Sequence, residues 1–164
     1  MNDAHWHLVV NHIPLIFPMV GVIVMMIGVI SKSDAVKRTA YTIFILGAFA
    51  SIGAMTTGEG AEEVVENISG ITENYIHEHE EIAEVFALLS YILAGISCIG
   101  LWASFKLKKL SILVTALTLL FAMVVLFYGK QTGTTGGEIR HTEIRMENSI
   151  PLNKNAESAQ GEDD

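Results

Sequence analysis

Four stretches of the chain, residues 8–30, 41–57, 82–105 and 110–128, are nearly continuous apolar runs, and the only charged residue in them is Glu84. Each is close to the roughly 20 residues that a helix needs to cross a bilayer core of about 30 Å. The pattern predicts an all-α integral membrane four-helix bundle. The second stretch is the shortest, so its helix is expected to run on into the flanking polar residues. Residues 1–146 then form one four-span membrane domain. Residues 147–164 are polar, acidic and poor in aromatics, and are expected to be a disordered tail.

Composition supports this reading. Hydrophobic residues make up 51% of the 164, and mean hydropathy is +0.44, above what a soluble domain usually carries. No Lys or Arg precedes Leu8, and the first apolar run is too long for the core of a signal peptide, so it reads as a retained span. The single cysteine, Cys98, lies inside the third run. An intramolecular disulfide and a Cys-x-x-Cys-His haem attachment are thereby excluded.

Basic residues set the orientation of such chains when they stand in short loops beside the spans. Lys32, Lys37 and Arg38 lie between spans one and two, and Lys106, Lys108 and Lys109 between spans three and four; residues 39–105 contain no Lys or Arg. Both basic loops are expected in the cytoplasm of a bacterial cell. Both termini and the 58–81 connection then lie on the periplasmic side of the inner membrane.

That orientation gathers His5, His7, His12, His77, His79 and His141 on one face, with nearly every carboxylate except Asp34. Three chain segments supply these histidines. Glu59, Glu62, Glu63 and Glu66 follow helical spacing and would form an acidic stripe on a continuation of span two. Glu73, His77, Glu80 and Glu84 similarly share a face leading into span three. Glu84, one turn inside the apolar run, is costly there unless paired, protonated or hydrated. Span one opens His-Trp-His-Leu-Val-Val-Asn-His-Ile-Pro, with Asn11 and His12 about one turn past Leu8 and Pro14 and Pro18 just below. His12 is the most deeply placed histidine, and Trp6 and Trp102 read as interfacial anchors. Glu138 and His141 form Glu-x-x-His, the spacing used by di-metal carboxylate bundles, but those need two such motifs and the chain has one.

The stretches His-Leu-Val-Val-Asn-His-Ile-Pro (7–14), Thr-Gly-Glu-Gly-Ala-Glu-Glu (57–63) and Thr-Gly-Thr-Thr-Gly-Gly-Glu-Ile-Arg-His (132–141) resemble motifs of the bacterial four-span membrane family catalogued as domain of unknown function 2231. His7 and His12 match the family's two histidines five residues apart, with Leu8 in place of the first proline and Ile13 in place of a phenylalanine. Gly136, Gly137 and His141 match its Gly-Gly segment and late histidine, at shorter spacing. The resemblance covers about residues 5–142 and implies a four-helix membrane fold associated with Rieske or c-type cytochrome modules; it brings no established activity.

Two neutral imidazoles from different helices, set in apolar walls, suit a b-type haem. His12 opposite His79 or His77 is the expected pair, with His7 as a further candidate. A non-haem iron, copper or zinc ion is the alternative, with ligands drawn from His7, His12, His77, His79, His141, Glu59, Glu62 and Glu138. No nucleophile elbow or phosphate-binding glycine loop is present, so enzymatic turnover has no motif to support it. A net charge of −8 opposes nucleic-acid binding. The expected function is electron transfer or metal handling in the membrane, with lipid, membrane or periplasmic redox proteins and further copies of the chain as partners. The alternatives are a non-catalytic accessory subunit of a larger membrane complex, packing through Gly21, Gly28, Gly47, Gly53, Gly95 and Gly100, or a small transporter. A transporter lacks support because spans two to four carry no charge near their centres.

Overall fold

The computed structural model describes residues 2–68 and 71–145; the predicted tail lies outside the described residues. Among these, every regular element is helical: α1 (Asp3–Val10), α2 (Ile13–Ile30), α3 (Asp34–Val65), α4 (Glu73–Lys106), α5 (Lys108–Arg140) and a 3-10 turn (Thr142–Ile144). Counting α1 and α2 together, the four rods span 28, 32, 34 and 33 residues, each long and apolar enough to cross a membrane. Each packs against its neighbour in the chain, and α5 returns to α2 to close the bundle, while α1 leans on α3.

Local chemistry sets the breaks. Asn11 and His12 keep right-handed helical angles, so α1 and α2 stay in nearly one helical phase. Pro14 interrupts the ladder because it has no N–H to give to the Val10 carbonyl. Between α2 and α3, Lys32 adopts a left-handed conformation (φ 52°) and the Ser33 amide donates to the Gly28 carbonyl at 3.0 Å. That closure lets the chain reverse in three residues. The Ser33 hydroxyl then caps α3 by accepting from the Val36 amide at 3.4 Å. Between α4 and α5 only Leu107 intervenes.

At 1.5 Å per residue, rods of this length overshoot a hydrocarbon core of about 30 Å. The apolar runs lie toward the end that carries Lys32, Lys37, Lys106 and Lys108, so the surplus stands at the other end. Residues 2–7, 58–68, 71–81 and 129–145 form a polar collar beyond the apolar spans. The short second run is thus part of a much longer helix, α3, which carries the Glu59, Glu62 and Glu63 stripe before ending at Val65.

Tyr41, Phe44, Met25, Leu93 and Val125 are fully buried in the core. The Tyr41 hydroxyl donates to Thr115 Oγ1 at 2.9 Å, because the Thr115 proton is already engaged by the Ser111 carbonyl at 2.7 Å. Close approach is made possible by glycine. A Cβ on Gly21 would stand 2.5 Å from the Phe44 ring, one on Gly47 3.0 Å from Phe17 Cβ, and one on Gly100 would overlap the Tyr41 ring. These glycines are occupied inside the chain, whereas a Cβ on Gly53 or Gly95 would meet nothing within 4 Å. Ile23, Met26, Phe49, Ile112, Leu120 and Phe127 are exposed on the outside of the bundle, as side chains facing lipid would be.

Candidate functional site

Two histidines of the polar collar turn inward. His7 on α1 is half-buried against α3, where its Nδ1 lies 3.2 Å from the Ala54 carbonyl and 3.1 Å from Thr57 Oγ1. A carbonyl only accepts, so Nδ1 carries the proton. Thr57 agrees with this assignment, because its hydroxyl donates to the Gly53 and Ala54 carbonyls at 3.0 Å and has only lone pairs left for the ring. His79 on α4 repeats the arrangement against α5. Its Nδ1 lies 3.1 Å from Thr135 Oγ1, whose proton goes to the carbonyls of Gln131 (3.2 Å) and Thr132 (3.3 Å).

In both rings Nδ1 therefore carries a proton, and no hydrogen bond within the described residues reaches either Nε2. In this collar, outside the apolar spans, burial holds the proton affinity of each ring below the ordinary histidine value. A charge on His7 further disfavours one on His79, and a charge on His12 does the same to His7. Gly136 forms the seat of the second ring: a Cβ there would stand 2.9 Å from His79 Cε1. Its counterpart on α3 is Gly58, two turns beyond buried Ser51 on the inward stripe, and a Cβ at Gly58 would meet nothing within 4 Å. The site thus has two oriented imidazoles, of which only the second rests against its glycine.

The two halves of the site share short motifs and a burial pattern. His-x-His occurs at 5–7 and again 72 residues later at 77–79, and Thr-Thr-Gly at 56–58 and again 78 residues later at 134–136. Burial repeats at the same offsets. On α2 and α4 the buried pairs are Pro14 and Phe86, Pro18 and Ser90, Gly21 and Leu93, Met25 and Ser97, and Gly28 and Gly100. On α3 and α5 they are Ala40 and Thr118, Phe44 and Ala122, Gly47 and Val125, and Ser51 and Gly129. Each helical hairpin thus carries one histidine held by a threonine of its own second helix. Thr57 and Thr135 are site residues that motif spacing alone did not single out; the repeated Thr-Thr-Gly was the available signal.

The remaining candidates stand elsewhere. His12 is exposed at the head of α2, a little over a third of a turn round the helix from the inward stripe. His77 is exposed and pairs with Glu81 at 3.4 Å, His141 is exposed and pairs with Glu143 at 2.9 Å, and His5 is exposed at the chain end. Glu59 and Glu84 are exposed. Half-buried Glu62 and Glu80 meet across α3 and α4; burial and then the Glu62 carboxylate push the Glu80 carboxyl above the usual carboxylate range. The Glu138 carbonyl accepts from buried Arg145 at 2.8 Å, and the Arg145 guanidinium lies 4.2 Å over the Tyr75 ring, tying the end of α5 to the head of α4. Glu138 and His141 thus belong to this closure, and His141 turns to Glu143. Among the described residues, no group of three or more His, Cys, Asp or Glu side chains converges to hold a metal ion.

No protein-family model, curated protein or solved structure matches this chain.

Proposed function

We propose that the chain holds a redox cofactor between His7 and His79 and serves in electron transfer, with metal handling as the same site's alternative use. The observation that carries this reading is the pair of half-buried imidazoles whose Nδ1–H is held against threonine and whose Nε2 meets no hydrogen-bond partner among the described residues. Ligating histidines are oriented in this way, by a hydrogen bond from the ring nitrogen that does not bind metal.

Of the two cofactor classes, haem b fits the donor set better. A zinc or non-haem iron ion asks the protein for three or four ligands, and two inward imidazoles fall short of that number. A haem carries four ring nitrogens of its own and would ask the protein only for imidazoles, which His7 and His79 would supply. When bound, it would supply one-electron chemistry. The chain's own contribution is to fix both rings and to line the inner side with Leu15 and Phe86, which both stand against Gly129.

The test is the visible spectrum of protein purified from cells supplied with iron, zinc and copper, with elemental analysis of the same sample. A Soret band that shifts on dithionite reduction is expected, with about one iron per chain. Protein with neither haem nor stoichiometric metal, which also takes up neither when offered, refutes the reading.

Orientation belongs to the same proposal, because periplasmic partners require the collar to face outward. In a Cys98→Ser background, a cysteine placed at exposed Asn67 should react with a membrane-impermeant maleimide in intact spheroplasts, and one at exposed Ser31 should not. The opposite labelling would put the site on the cytoplasmic side.

A further inference from the structure

An acidic chain here concentrates positive charge at one end of its bundle. Residues 31–38 and 104–111 contain Lys32, Lys37, Arg38, Lys106, Lys108 and Lys109 against a single carboxylate, Asp34. Asp34 is already taken by Lys37, at 2.6 Å. The Arg38 guanidinium is spent on the end of α4: Nε donates to Ser104 Oγ at 2.9 Å, Nη2 to the Ser104 carbonyl at 3.0 Å, and the group lies 3.7 Å over the Phe105 ring. These contacts fix the α4–α5 turn beside the start of α3. Lys106, Lys108 and Lys109 of that turn are exposed and have no ion pair among the described residues. Furthermore, α5 begins at Lys108 with no side-chain cap and no acid in its first turn, whereas α3 has Ser33 and Asp34 there. Three ammonium groups thus coincide with the positive end of a helix, and the chain supplies no anion to answer them.

The surface next to the lysines indicates what carries the answering charge. Trp102 and Lys106 stand one turn apart on α4 with Phe105 beside them, and all three are exposed; so are Lys109, Ile112 and Leu113 on α5. Each helix sets an ammonium next to bare apolar surface, at the level where a span leaves the hydrocarbon. A free phosphate would use the lysines alone, whereas a phospholipid uses both. We infer that the α4–α5 turn binds an anionic phospholipid, its phosphate held by Lys106, Lys108 and Lys109 and its acyl chains lying over Trp102 and Phe105. This surface is at the opposite end of the bundle from His7 and His79, so it stands whatever those histidines hold.

Trp6 and Trp102 are the chain's two tryptophans, one at each end, so each can be read alone. Full-length Trp6→Phe protein is reconstituted into vesicles of phosphatidylcholine and phosphatidylglycerol, with bromine on the acyl chains of one lipid or the other. Quenching of Trp102 then measures which lipid occupies its surface. Phosphatidylglycerol is expected to be preferred roughly fivefold over phosphatidylcholine, the scale of one lysine acting on one headgroup. The preference should fall toward parity as sodium chloride is raised, and in the combined Lys106→Gln, Lys108→Gln and Lys109→Gln variant. In Trp102→Phe protein, where Trp6 reports from the acidic collar, no preference for phosphatidylglycerol is expected. Parity at Trp102, a preference unchanged by the three substitutions, or an equal preference at Trp6 overturns the inference. If the combined variant does not fold, the three single variants decide: a reduced preference in at least one supports the site, and an unchanged preference in all three overturns it. Inorganic phosphate at matched ionic strength should compete no better than chloride; stronger competition would assign the lysines to a free anion and overturn the lipid.

Discussion

Gly100→Ala is expected to lower the thermal unfolding midpoint of the detergent-solubilised protein by several degrees, and Gly100→Leu to prevent folding. A Cβ at this position would overlap the Tyr41 ring. Tyr41 cannot yield easily: it is fully buried, and its hydroxyl is committed to Thr115 across the bundle at 2.9 Å. Adding a methyl group to such a contact costs about 1–3 kcal/mol, more where the neighbour is fixed. Gly95→Ala on the same helix is the control. Its Cβ would meet nothing within 4 Å, and replacing glycine by alanine inside a helix contributes up to about 1 kcal/mol of stability. The two substitutions should therefore move the midpoint in opposite directions. If Gly100→Ala melts with the wild type, Tyr41 and α4 do not approach as closely as described. Tyr41→Leu should recover much of the loss in the Gly100→Ala background, since the methyl would then occupy space the ring has left.

The four long helices were legible in the sequence because a bilayer imposes length and hydrophobicity directly on the chain. Legibility fell away at the site, and His12 and His7 show why. Depth along the span favoured His12. Which way a side chain faces is set by helical phase, and the buried residues Pro14, Pro18, Gly21, Met25 and Gly28 define an inward stripe that His7 and Asn11 continue and His12 leaves. In a membrane helix the apolar positions do not mark the interior, because both lipid and core are apolar; small residues mark it instead. The same reasoning accounts for Thr57 and Thr135. As isolated threonines in a long helix they carry no signal, and they acquire one only when the two hairpins are laid over each other. The shared pattern itself is hard to see along the chain, since the paired core residues exchange sizes: Gly21 faces Phe44 in the first hairpin, where Leu93 and Ala122 stand in the second. Volume is conserved across the pair while identity is lost.

His7→Ala and His79→Ala are each expected to abolish cofactor binding, with affinity down by at least a hundredfold, because either change leaves a haem one axial nitrogen instead of two. The matching hold on the two rings makes the two losses comparable in size. His12→Ala should retain the cofactor, which separates the inward pair from the pair that depth alone suggested. His5→Ala, at the exposed chain end, is the neutral control. The threonines extend the test beyond the ligands. Thr57→Val and Thr135→Val keep the shape of the side chain but remove the oxygen that accepts the Nδ1 proton at 3.1 Å in both halves. Loss of such an orienting partner typically weakens ligation by about 10–100-fold. At His7 the Ala54 carbonyl still holds Nδ1 at 3.2 Å after the hydroxyl is gone, so Thr57→Val should lie at the weak end of that range. Thr135→Val also frees the His79 ring on its Gly136 seat and should have the larger effect. These affinities can be read from hemin titrations followed at the Soret band. Full cofactor retention in both His7→Ala and His79→Ala would move the site away from these helices and leave the paired histidine–threonine contacts as structural ties between α1 and α3 and between α4 and α5.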